Sequence, residues 1–133
     1  MLFGEVDASF AMCKLTHRSH FGYTTFFNRG LISWKNKLQS IVTLSSVESE
    51  YVTFCDLTCE IRYLRQFANG LGFEQKEPTL SFGDNKEVIM TAENECSVTG
   101  HMKHVDVKFR FPPESIKMGE MNHSSVVMRI IVL

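Results

Sequence analysis

The chain has 133 residues, enough for one compact domain and too few for two. A hydrophobic fraction of 44% with 11 Phe supplies a core, and a charged fraction of 22% excludes wholesale disorder. With a net charge of -1 and a pI of about 6.5 there is no global basic field, so any nucleic-acid contact has to come from a local patch.

In chain order, Leu2 to Ala8 reads as a short strand that ends around Asp7. Asp7 also falls too early for the apolar stretch of a secretory signal to form before it. His17 to Ser19 is polar and loop-like. Phe21 to Phe27 is aromatic and Thr-rich, which suits a strand, and Asn28-Arg29-Gly30 follows as a turn. Leu31 to Lys35 and Ser40 to Leu44 read as a further strand pair, so the first third of the chain is expected to form an antiparallel meander.

Ser45-Ser46-Val47-Glu48 has the form of a capping box, with Ser45 as N-cap and Glu48 reaching back to its amide. From there to Asn69 the spacing predicts a helix without Pro or Gly, stopped by Gly70 and Gly72. Phe54, Leu57, Ile61, Leu64 and Ala68 recur at intervals of three and four as its apolar stripe. Four residues before Phe54 stands Glu50, which is therefore expected to point inward. Glu48 falls in line with Cys55 and Arg62, towards the flank.

Pro78 opens a new segment, with Thr79 to Gly83 as a strand ending at Asp84-Asn85 and Lys86 to Glu95 as a short helix. Strand, helix, strand in this order permits a parallel pair beside the meander. His101 to Phe111 is basic and aromatic, and Pro112-Pro113 breaks whatever precedes it. The apolar run Val126 to Leu133 is far too short to span a bilayer, so the chain reads as soluble and without a membrane partner.

Cys13, Cys55, Cys59 and Cys96 lack the spacing of a disulfide framework, so reduced thiols in an intracellular protein are the simpler reading. Cys55 and Cys59 lie four apart on the predicted helix, with no second ligand pair at zinc spacing.

Three acids occupy comparable places: Asp7 and Asp84 at strand ends, Glu50 at the start of the long helix. Sites in α/β sheets gather at the carboxyl ends of strands. Carboxylates brought together there repel one another unless cations neutralise them, which hard divalent ions do. On spacing alone, a turn cap or a solvated side chain is the simpler reading for each acid.

The residues around them resemble a known family. Gly22-Tyr23-Thr24-Thr25-Phe26-Phe27-Asn28, Ile32-Ser33-Trp34-Lys35-Asn36-Lys37 and Gln39 are similar to the ribonuclease H region of copia-type retrotransposon Pol polyproteins. Leu44-Ser45-Ser46-Val47-Glu48-Ser49-Glu50-Tyr51 resembles that family's "LSSTEAEY" signature. Leu64-Arg65 and Leu71-Gly72-Phe73 follow, then Gly83-Asp84-Asn85 resembles its "CDN", and Lys103-His104-Val105-Asp106 its "KHID". Order and spacing match over residues 4–111, and the domain is drawn as 1–121 with a tail of 122–133 that matches nothing in the family.

The resemblance implies an α/β, ribonuclease H-like fold, a mixed sheet with flanking helices. It implies cleavage of the RNA strand of an RNA–DNA hybrid with two Mg2+ or Mn2+ ions, alongside the reverse transcriptase region of a parent polyprotein, in the cytoplasm or the virus-like particle of the element. Residue by residue, Asp7 matches the first aspartate of "SDADWAG", Glu50 the glutamate that opens the family's helix, and Asp84 the second catalytic aspartate. These three are the expected metal ligands and catalytic residues, and Glu48 is not one of them. Arg18, Lys35, Lys37 and Arg65 are the candidates for phosphate contacts, each weighed against an ordinary solvated charge. Trp34 offers a ring for stacking on a nucleotide, although a lone Trp in a strand is more often core.

The departures bear on activity. Ser9 and Phe10 stand where the family has a second acid and a tryptophan, and His101 where it usually has arginine. After Gly119-Glu120-Met121 the family continues with a strand and a helix carrying "LAD", whose aspartate completes a four-acid site. Here Asn122 to Leu133 carries no such acid. Asp106 is a different position and does not replace it, and His104 reads as a helix or turn residue and not as a general base. The expected activity is therefore weak or absent, and the alternative is a non-catalytic transposon-derived remnant, a binding module or a protein without function. Val126 to Leu133 is left as a substitute strand for the sheet edge that the missing elements would cover.

Overall fold

Six strands and one helix are ordered β1 (Leu2–Ser9), β2 (His20–Phe27), β3 (Gly30–Leu38), α1 (Ser46–Gly70), β4 (Thr79–Gly83), β5 (His123–Ser124) and β6 (Met128–Val132) among the described residues. The computed structural model describes residues 1–9, 13–77, 79–83 and Val88, and the backbone of 123–124 and 128–132. The expected helix from Lys86 to Glu95, the basic segment from His101 and the Pro112-Pro113 break otherwise lie outside the described residues.

The strands form one mixed sheet in the order β3-β2-β1-β4-β6-β5. β1, β2 and β3 make the expected antiparallel meander, with Leu2 opposite Phe27 and Ser9 opposite His20. Asn28 and Arg29 alone form the β2–β3 turn, both left-handed at φ 48 and 71, which is the backbone a two-residue hairpin needs to follow the strand twist. β4 then lies parallel to β1, with Phe3 opposite Leu80 and Glu5 opposite Phe82. Residues 10–78, between the two parallel strands, include β2, β3 and then α1, which returns the chain across one face, as such connections require.

One predicted pair of strands is a single strand. Gly30 to Leu38 is continuous, and Ser40 to Leu44 is not in the sheet. That segment still alternates, with Thr43 buried and Val42 and Leu44 exposed. A period of two records alternate burial, and here it occurs in an extended connection with no ladder partner.

α1 begins as the sequence indicates: the Ser45 side chain accepts a hydrogen bond from the Glu48 amide at 3.1 Å. The reciprocal half of the box is displaced by one residue, because Glu48 Oε2 accepts from the Leu44 amide at 2.7 Å and not from that of Ser45. At the other end Gly70 is still helical, and Gly72, at φ +85, is the residue that ends the helix. The Gly72 amide donates to Asn69 O and that of Phe73 to Ala68 O, the paired bonds that satisfy the last carbonyls.

The core lies between α1 and one face of the sheet. Phe54, Leu57 and Ile61 are buried as predicted, joined by Tyr51, Val52 and Cys55, while Leu64 and Ala68 are half-buried towards the helix end. The approach is closest at Gly4, where a Cβ would meet Leu57 Cδ1 at 2.8 Å and Ile61 Cδ1 at 3.2 Å. A polar seam flanks the core: Ser33 Oγ and Tyr23 Oη donate to Glu60, and Lys35 pairs with Asp56 at 3.4 Å.

The tail expected to depart from the family supplies a strand. β6 pairs antiparallel with β4, Thr79 opposite Val132 and Gly83 opposite Met128. The edge of β4 is thus covered over part of the segment expected to do so.

Candidate metal centre

Side chains alternate along β1. Gly4, Val6 and Ala8 face α1, so Asp7 leaves on the opposite face, where its carboxylate is exposed. That face holds a shallow concavity of about 870 Å³ whose lining includes Glu5, Asp7, His20, Thr24, Trp34 and Asn36. Trp34 is 69% exposed, which corrects the expectation that a lone strand Trp packs into the core. β3 is the outermost strand, and its alternation turns Ser33 and Lys35 towards α1 and Trp34 away.

Glu50 is the fifth residue of α1, at the start of its second turn, and is half-buried. Its end of the helix is fixed by Gln39, the residue after β3, whose Nε2 donates to Ser49 O at 2.7 Å. Leu38 is opposite His20, and His20 opposite Ser9, so this is the carboxyl end of β1. Leu57 and Ile61, further along the helix, lie over Gly4, so α1 runs back along β1 from that end. Asp7 and Glu50 thus share one end of the sheet, Asp7 on its open face and Glu50 on the helix that covers the other.

Glu48 is 2% exposed, not on an open flank. The segment 39–44 runs against Glu48 and Ser49, bonding to both, which an apolar stripe on the core side does not reveal. The Glu48 carboxylate caps the backbone at Leu44. Asp84 follows the last residue of β4 and lies outside the described residues, as do His101, His104 and Asp106. Among the described residues, no three His, Cys, Asp or Glu side chains come together as metal ligands.

The four candidate cations divide into two pairs. Arg18 and Lys37 are exposed, with Lys37 Nζ 5.7 Å from the centre of the Phe21 ring. Lys35 is engaged with Asp56, and Arg65 Nη1 donates to Glu77 O at 2.9 Å and Thr79 Oγ1 at 2.7 Å, while its Nη2 donates to Gln75 O. Arg65 thereby ties α1 to the approach to β4.

The cysteines follow their surroundings. Cys55 is buried and its thiol is pushed well up by loss of solvent, with Cys59 and Asp56 adding to the rise. Cys59, one turn on, is exposed. Cys13 is lowered chiefly by hydrogen bonds with Thr16. Burial, and next the charge of Glu60, raise the Tyr23 hydroxyl.

Sequence reasoning did not pick out the buried polar ties. Gln39 was visible within the resembling series, but nothing marked it as buried at 1% exposure. Asp56 and Glu60 stand one turn apart on α1, and a carboxylate pair at that spacing ordinarily faces solvent.

The chain is 33% identical over 116 residues to the retrovirus-related Pol polyprotein from transposon TNT 1-94 of Nicotiana tabacum, covering 87% of this chain and 9% of the relative. It is 26% identical over 115 residues to the retrovirus-related Pol polyprotein from transposon RE1 of Arabidopsis thaliana, 86% of this chain and 8% of the relative. It is also 40% identical over 63 residues to the secreted RxLR effector protein 161 of Plasmopara viticola, 47% of this chain and 44% of that protein. The chain spans less than a tenth of the length of the polyproteins it matches. No family model and no solved structure matches.

Proposed function

Because the chain is a homologue of the retrovirus-related Pol polyproteins of plant copia-type transposons, we propose that it is their ribonuclease H-like region, with metal-dependent cleavage of RNA in RNA–DNA hybrids weakened by loss of one acid. The observation that carries this reading is the parallel pairing of β1 with β4 beside an antiparallel meander. Glu5 is opposite Phe82, and in sequence Asp7 and Asp84 each stand two residues beyond those partners. Glu50 opens the helix at the same end of the sheet.

Carboxylate oxygens are the donors that Mg2+ and Mn2+ take, so the chemistry of Asp7, Glu50 and Asp84 fits such ions. Bound there, they supply an activated water and neutralise charge on the phosphate. The chain's own contribution is to fix Asp7 and Glu50 on two elements, β1 and α1, and to leave Asp7 open to solvent. Arg18 and Lys37 are the exposed cations of the four and would meet the hybrid's phosphates, each changing the salt dependence of binding by about one unit of slope. Choice of RNA over DNA would come from contacts to 2′-hydroxyls.

Asn122 to Leu133 carries no acid to serve as fourth ligand. This favours a second reading, a transposon-derived remnant that has kept the fold and lost the chemistry. Cleavage of an end-labelled RNA–DNA hybrid with Mg2+ or Mn2+, by the chain and by its Asp84→Asn variant, separates the two. Slow cleavage of the RNA strand that Asp84→Asn abolishes is the expected result. Cleavage that survives the substitution contradicts the site, and a folded chain that cleaves nothing is the remnant.

A further inference from the structure

The amide at the end of β3 belongs to the resembling series, and the proposed chemistry leaves it unused. Gln39 is 1% exposed. Its Nε2 donates to Ser49 O at 2.7 Å and to Thr53 Oγ1 at 3.2 Å, and its Oε1 accepts from Ser49 Oγ at 3.4 Å. Its backbone amide donates to Ser19 O at 2.9 Å, and Ser19 Oγ lies 3.1 Å from Thr43 Oγ1. Thr53 Oγ1 itself donates to Ser49 O at 2.9 Å. Ser19, Thr43, Ser49 and Thr53 are all buried.

This polar cluster joins the start of β2, the end of β3, the connection to α1 and the first two turns of the helix. It is not what anchors α1 to the sheet, since Leu57 and Ile61 do that over Gly4, two to three turns further on. Apolar packing in its place would bury the same surface and leave the first turn free to rotate slightly about the helix axis. Directional bonds to the Ser49 carbonyl and the Thr53 hydroxyl remove that freedom. Glu50 lies between those two anchors, directly after Ser49.

We propose that Gln39 is a positioning residue for the metal site. Through Ser49 and Thr53 it fixes the rotation of the turn that carries Glu50 relative to the strand end that carries Asp7. The inference rests on the metal-site reading above and adds a residue that touches no metal. Outer groups that orient ligands typically change metal affinity by about ten- to a hundredfold when removed.

The test is calorimetric titration of the full chain with Mn2+, at a temperature where circular dichroism shows each variant folded. Gln39→Met keeps the length of the side chain and removes its hydrogen bonds, and Thr53→Val keeps the shape and removes one anchor. About tenfold weaker Mn2+ binding by Gln39→Met, with a smaller loss in Thr53→Val, is the expected result. If Gln39→Met does not fold, Thr53→Val decides by the same criterion. Wild-type affinity in these variants, while Glu50→Gln weakens binding, would show that Gln39 is structural only and overturn the inference. Unchanged affinity in Asp7→Asn and Glu50→Gln as well would overturn the metal-site reading, and the inference with it.

Discussion

On the face of the sheet under α1, Leu2, Phe21 and Tyr23 are buried against a helix whose Leu57 and Ile61 are fully enclosed. On the opposite face of the same strands, Glu5 and Asp7 are exposed and Trp34 presents most of its ring to solvent. The alternation of a strand separates the two, so one residue step moves a side chain from the core to the face that carries Asp7. Substitutions of the enclosed apolar residues on the covered face should therefore act on stability, and that of Asp7 on the open face on ligand binding.

The largest effect is expected from Leu57→Ala, which removes a fully buried side chain at the centre of the helix contact. A loss of about 2–5 kcal/mol in urea unfolding follows from the cavity it leaves, and a loss below about 1 kcal/mol would mean that this face is not the core. Gly4→Val is next. Its Cβ would stand 2.8 Å from Leu57 Cδ1, so the enclosed Leu57 side chain or α1 itself has to shift, at a cost of about 1–3 kcal/mol by the same measurement.

The pH dependence of stability probes the covered face without changing its shape. Burial raises the Cys55 thiol, so the folded chain holds that proton more tightly than the unfolded one. The stability this represents is intact below the unfolded thiol's pKa and falls as pH rises above it, by at most about 1.4 kcal/mol per pH unit. Cys55→Ala should flatten the decline in urea midpoint over that range, and an unchanged slope would show that Cys55 is not enclosed. The smallest effects belong to the open face, where Asp7→Asn and Trp34→Ala should each change stability by no more than about 0.5 kcal/mol. A larger loss in either would mean that the open face is packed.

Much of the frame was legible in the sequence because its signals are local. The Ser45 cap, the glycine stop at Gly72, the strand on either side of Asn28-Arg29 and the strand before Asp84 depend on a few neighbouring residues. What failed depends on contacts between distant segments. Ser40 to Leu44 alternates like a strand but has no ladder partner, and the same segment bonds to Glu48, which is buried and not on an open flank. Trp34 is exposed because it lies on the face of β3 turned away from α1, and which face the helix covers is something no single strand declares. Of the candidate site, Asp7 and Glu50 could be located at one end of the sheet from their elements. The polar cluster around Gln39 could not, since glutamine, serine and threonine ordinarily mark surface and turns.

The central claim, that Asp7, Glu50 and Asp84 form one divalent-metal site, is tested most directly by titrating Mn2+ into the isotopically labelled chain and following backbone amide signals. Paramagnetic broadening centred on Asp7, Glu50 and Asp84 together, at low metal and reversed by a chelator, is the predicted result. Broadening confined to any one of the three segments, or spread evenly over the surface acids, would contradict it.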